Sequence, residues 1–239
     1  MYQTHKTYIE PEMRMLDLIN ENSALLLFLQ HFEIDFSVNN KTIAQLCEQY
    51  GIGVSAFLSV INLYNGFFPE KEEVEAIKDL KSILVFLKNS HKFYKDDKYP
   101  ELQHYLDQLK NHWQPKDILL IEQFLNDYFK EVFEHLDYED NVAFPYFYDL
   151  IEKNIHKSND CNFSVHEYSE HHTDIETKLS DLKALLLKHF HFNNDLSIRR
   201  KFLESLFGLE FDLKIHSIIE EKILIPRIIS LELNAEGSV

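Results

Sequence analysis

Two stretches of this chain repeat one polar phrase. Residues 135–145 read HLDYEDNVAFP and residues 216–226 read HSIIEEKILIP. Each has a histidine, a glutamate four positions on, an acidic neighbour, and a proline six positions after the glutamate. The first supplies His135, Glu139, Asp140 and Pro145, and the second His216, Glu220, Glu221 and Pro226. Every member is displaced by the same 81 positions (216 − 135, 220 − 139, 226 − 145). A spacing of four puts histidine and glutamate on one face of a helix, one turn apart. Imidazole and carboxylate are the ligand set of iron, manganese or zinc, without the thiolates that favour softer metals.

The elements that must position these groups are amphipathic helices. Four apolar stripes repeat at spacings of three and four. One runs Ile77, Leu80, Leu84, Leu87 and continues to His91. A second runs Ile121, Leu125, Tyr128, Val132 and continues to His135 and Glu139. A third runs Val165, Tyr168, His172, Ile175, Leu179, Leu182, Leu186. A fourth runs Leu206, Leu209, Leu213, His216, Glu220 and resumes at Ile223. Short breaks at 112–117, 155–162 and 192–195 join them, which predicts an all-α fold and an antiparallel four-helix bundle. On each stripe a histidine occupies a position that should face the core. His91, His135, His172, His216, Glu139 and Glu220 would therefore converge inside the bundle.

Burying that many polar groups costs several kcal/mol unless each finds a partner. A metal centre would satisfy them together. Six side chains exceed one tetrahedral zinc site, and they suit two metals bridged by the two glutamates. Taken alone, His91 reads more readily as a hydrogen-bonded core residue than as a ligand; for the paired phrases, no helix-packing rule asks for a buried histidine–glutamate pair twice. His171 points about 100° from His172 on a helix and is left as a flanking residue or a spare ligand. Tyr128, Tyr168 and Asp212 share the stripes and are candidates to hydrogen-bond a ligand. The remaining histidines, among them His31 and His104, lie off the stripes and are expected at the surface or at caps.

Composition narrows the setting. The chain has 239 residues, 45% hydrophobic, with only five glycines and six prolines, which suits long helices with few connections. Its net charge of −16 disfavours phosphate backbones and anionic lipid as partners. Residues 1–66 carry three basic side chains against seven acidic ones, so the helix-turn-helix flavour of 41–61 does not amount to a nucleic-acid reader. Two cysteines, Cys47 and Cys161, make no disulfide framework and fit a reducing compartment. The longest apolar run, ALLLFL, is too short for a bilayer. The expected location is the cytoplasm. The turn-rich stretch NGFFPEKEEVE separates a small helical domain (1–66) from the bundle (75–235), with a linker at 67–74.

The two phrases, together with SHKFYKDDKYPEL (90–102) and EYSEHHTDIETKL (167–179), resemble the hemerythrin-like cation-binding domain. More narrowly they are similar to the di-iron proteins called repair of iron centres. The resemblance covers about 75–231 and implies two non-haem iron ions, ahead of manganese or zinc. It implies terminal imidazoles from His91, His135, His172 and His216 and bridging carboxylates from Glu139 and Glu220. It also implies a small diatomic or oxygen-derived ligand, and iron–sulfur proteins as clients under nitrosative or oxidative stress. No fifth histidine matches the oxygen carriers of the family. The stretch at 27–52 resembles the small domain preceding the bundle in the repair proteins, but Ser37 and Val38 stand where that domain usually has two cysteines. The alternative is an oxygen- or nitric-oxide-sensing module with a protein-interaction domain at its N-terminus.

Overall fold

The computed structural model describes residues 7–110, 115–152, 165, 168, 175–189 and 196–236. Every regular element among them is helical, and the sole β contact is a bridge between Arg14 and Thr42. Contacts group the chain into two compact units. Unit 1 takes Met1–Ser90, Phe144–Val165 and Ser217–Val239; unit 2 takes His91–Ala143 and His166–His216. Residues 1–66 fall within unit 1, and residues 75–235 contribute to both.

In unit 1 the N-terminal helices are α1 (Met15–Glu21), α2 (Leu25–His31), α3 (Ile43–Tyr50) and α4 (Val54–Tyr64), followed by α5 (Lys71–Ala76). Local chemistry sets their ends. Thr42 and Gln45 form a reciprocal capping box at the start of α3, and Gly51 ends it in the left-handed conformation (φ 68°) that costs glycine least. Glu70 and Glu73 form a matching box at the start of α5, just after Pro69, where the acidic run predicts a helix start. Asp79 begins α6 (Leu80–Phe93) by accepting from the Ser82 amide, and its other oxygen accepts from the Gly53 amide. A Cβ at Gly53 would sit 2.6 Å from that of Asp79, so this approach requires glycine. Phe28, Phe32, Phe57, Tyr64 and Phe86 pack ring against ring behind these helices. His31 lies among them, fully buried with its ring 5.0 Å from that of Phe86. The surface position expected for it is therefore wrong: its alternation with the apolar residues of α2 carries it inward.

The core of unit 2 is built from α7 (Tyr99–Lys110), α8 (Pro115–Tyr138), α10 (Ile175–His189) and α11 (Leu196–Ile218); α9 (Phe144–Ile151) belongs to unit 1. The apolar stripes land where their periods place them. Ile121, Leu125, Tyr128 and Val132 of α8, Leu179, Leu182 and Leu186 of α10, and Leu206, Leu209 and Leu213 of α11 are all buried in one cluster.

Three helices widen into a π-turn at matching places. The segments are Tyr94–Lys98 after α6, Glu139–Ala143 after α8 and Ile219–Leu224 after α11. Each is followed within two residues by a proline, Pro100, Pro145 or Pro226. Proline lacks the amide hydrogen and its ring clashes with the carbonyl four residues back. A wider turn just before it removes that clash, and the helix continues beyond as α7, α9 and α12 (Ile225–Glu236). The prolines bend the helical path without ending it.

Candidate metal centre

Each π-turn follows one of the stripe histidines: His91 precedes the first by three residues, His135 the second by four and His216 the third by three. Within unit 2 the three histidines meet around Glu139. The His91 Nε2 atom lies 3.4 Å from His216 Nε2 and 3.3 Å from Glu139 Oε2. The distance from His216 Nε2 to the same oxygen is 4.0 Å. His135 Nε2 lies 3.0 Å from the other oxygen, Oε1, one helical turn from its own backbone. Tyr168 OH donates to Oε1 at 2.6 Å. His91 and Glu139 are almost wholly enclosed (1% and 0% exposed), whereas His135 is 16% exposed.

Asp140 fixes the His91 ring. Its Oδ1 accepts from His91 Nδ1 at 3.0 Å. A carboxylate only accepts, so in the neutral ring the proton sits on Nδ1 and the Nε2 lone pair is directed at His216 and Glu139. Lys95 holds Asp140 in turn, with Nζ 3.4 Å from Oδ2 and 2.7 Å from Asp137 Oδ1. Tyr94, the first residue of its π-turn, donates to the buried Asp212 at 2.7 Å.

Two imidazole nitrogens and one carboxylate oxygen thus converge within 4.8 Å of one another. Lone pairs crowded this closely repel unless a positive charge lies among them. The electrostatics of the protein alone express that demand. Burial works to lower the proton affinity of His91, yet hydrogen bonds and charge from Asp140 and Glu139 override it and raise its pKa to about 9. Burial likewise works to raise the Glu139 pKa, but His135 and His91 hold the carboxyl well below the usual range. The Oε2 atom of Glu139 is buried, with the His91 Nε2 atom 3.3 Å away. A cation would satisfy all of these groups, and the donor set is hard to intermediate, so the residues fit a metal ion. Glu220, fully buried, lies four residues beyond His216 on the same continuous helix.

Of the expected site residues, His91, His135, Glu139 and His216 are brought together, and Glu220 is placed inward by its helix. His172, with its neighbour His171, lies outside the described residues. Tyr168 makes the hydrogen bond to a candidate ligand that its stripe position suggests. Asp140 and Lys95 were not expected to take part. Asp140 stands in the repeated phrase as an acidic neighbour, and only its partner 49 positions away on another helix gives it a role. Off the stripes, His104 is exposed and touches Gln108, as its position predicts. Cys47 is buried, and burial pushes its thiol up to about 12, which makes it an unreactive core residue. No helix among the described residues is long and apolar enough to cross a membrane. No protein-family model matches the chain, and no curated protein matches it.

Proposed function

We propose that the chain is a non-haem di-iron protein of the hemerythrin-like kind, with a four-helix bundle behind a small helical N-terminal domain. One observation carries this reading. The two oxygens of Glu139 face different imidazoles, Oε1 meeting His135 and Oε2 meeting His91 and His216. A carboxylate so placed can ligate two cations, one through each oxygen. His135 would then be terminal at one position and His91 and His216 at the other. Glu220 would be the second bridge, and His172 the fourth imidazole.

When bound, iron would supply a one-electron redox couple and open positions for a small diatomic or oxygen-derived ligand. The protein's own groups do the rest. Asp140 keeps the His91 proton on Nδ1, so that Nε2 stays available. Tyr168 gives a hydrogen bond to Glu139 Oε1, which holds that carboxylate in a fixed orientation. The leucine layers of α8, α10 and α11 exclude bulk water, which strengthens every charge interaction inside. The resemblance of the repeated phrases to repair of iron centres proteins supports work on damaged iron–sulfur clients in the cytoplasm, with neither nucleic acid nor membrane as partner.

The test is metal content and the optical spectrum of protein purified without added metal. About two irons per chain, with near-ultraviolet bridge absorption lost on His135→Ala or Glu220→Ala, supports the proposal. A single zinc, or no metal after anaerobic incubation with iron(II), overturns it.

A further inference from the structure

We propose that unit 1 carries a separate ligand site, a cavity that takes a small organic anion with an apolar body, of the medium-chain carboxylate class. This inference does not depend on the metal. The cavity has a volume of about 730 Å³, within the range of small-molecule sites. Its walls are Phe68, Pro69, Val74 and Pro226, and the charged residues on it are Lys71, Lys222, Arg227 and Glu75. Three cations thus face one carboxylate in a chain whose net charge is −16. Such a reversal of the average gives the cavity a sign.

Arg227 gives it a specific donor. Its Nη2 donates to the Ile77 carbonyl at 3.1 Å, which fixes the guanidinium, and its Nε is buried with no hydrogen-bond partner. A planar guanidinium is shaped for a carboxylate. Lys222 is exposed at the rim, and Lys71 reaches Glu75 only at 3.7 Å, in an ion pair too open to compete strongly with a ligand. The apolar half is equally visible. Phe68 is 64% exposed, unusual for so large a ring, and stands over the cavity beside two prolines. An anionic head on Arg227 and Lys222, with a hydrocarbon tail against Phe68 and Val74, would satisfy both halves.

The test is calorimetric titration of the full chain with octanoate, octylamine, octanol and inorganic phosphate. Octanoate should bind at least tenfold more tightly than each of the other three. Arg227→Gln should weaken octanoate about tenfold, the loss expected of one charge-assisted hydrogen bond. Lys222→Gln should weaken it about threefold, as an exposed charge does. Circular dichroism checks the fold of the arginine variant. Should that variant not fold, Lys222→Gln and the octylamine comparison still decide. No heat with octanoate, equal binding of octylamine or octanol, or unchanged affinity in Lys222→Gln overturns the proposal.

Discussion

Replacing Asp140 by asparagine tests the link between the hydrogen bonds and the metal. The amide keeps the shape and can still accept from His91 Nδ1, but it removes the charge that holds the ring 3.0 Å away. Loss of such an outer carboxylate costs tenfold to a hundredfold in metal affinity, or about 1.4–2.8 kcal/mol. The pH dependence makes the effect diagnostic. His91 in the metal-free protein titrates at about 9 instead of 6.5, and Asp140 is foremost among the groups that raise it against burial. A metal entering at pH 7 must displace that proton, which lowers apparent affinity about fiftyfold relative to pH 9, where half the rings are already neutral. The substitution weakens the proton's hold as well as the metal's, so the two losses partly cancel at pH 7. At pH 9.5 little proton remains to displace and the full loss shows. The variant's deficit in cobalt(II) affinity, read by competition with a chromophoric chelator, should therefore grow from pH 7 to pH 9.5.

Stability of the metal-free protein gives the complementary sign. A raised histidine pKa contributes stability that is complete below about 6.5 and is lost as pH rises through about 9. The whole interval is worth roughly 3 kcal/mol. The variant should unfold at lower denaturant than the parent at pH 6, and the gap should shrink by pH 10 to what the Lys95–Asp140 pair contributes. A deficit in metal affinity that is constant with pH, or equal stability at pH 6, would refute the reasoning.

Further expectations concern the same cluster and its surroundings. Glu139→Ala or Glu220→Ala should lose at least one metal ion per chain by elemental analysis, because no imidazole can bridge in place of a carboxylate; two tightly bound ions in either variant would contradict the bridging role. Tyr168→Phe removes the 2.6 Å donor to Glu139 Oε1 and should weaken metal binding about tenfold, the value of one hydrogen bond to a charged group, with a shifted optical spectrum. The same spectrum and affinity as the parent would show that the tyrosine only fills space. Ser37→Ala should leave metal content unchanged, because the turn is held by the Ser37 amide bonding to Asp35; a loss of metal would mean that this segment reaches the centre.

Much of the molecule follows from periodicity. The stripes through Leu125, Leu182 and Leu206 predict which faces are buried, because a helix projects residues three and four apart to one side whatever it packs against. The same rule sends His91, His135 and His216 inward with Glu139 and Glu220, and local capping chemistry at Thr42 and Glu70 marks two helix starts. His31 escapes this reading because α2 is short, and much of the aromatic cluster around it, Phe57, Tyr64 and Phe86, comes from other helices. The proline after each histidine is visible in the sequence, but the π-turn that accommodates it is not, since the choice between a broken helix and a widened one depends on packing beyond the proline. Asp140 shows the limit most plainly. Its neighbours give it no task, and only the tertiary fold sets it 3.0 Å from the ring of His91. The sequence alone determined the kinds of side chain in the candidate site and the faces they occupy. The tertiary structure decided which oxygen of Glu139 meets which histidine, because that pairing depends on how separate helices come together.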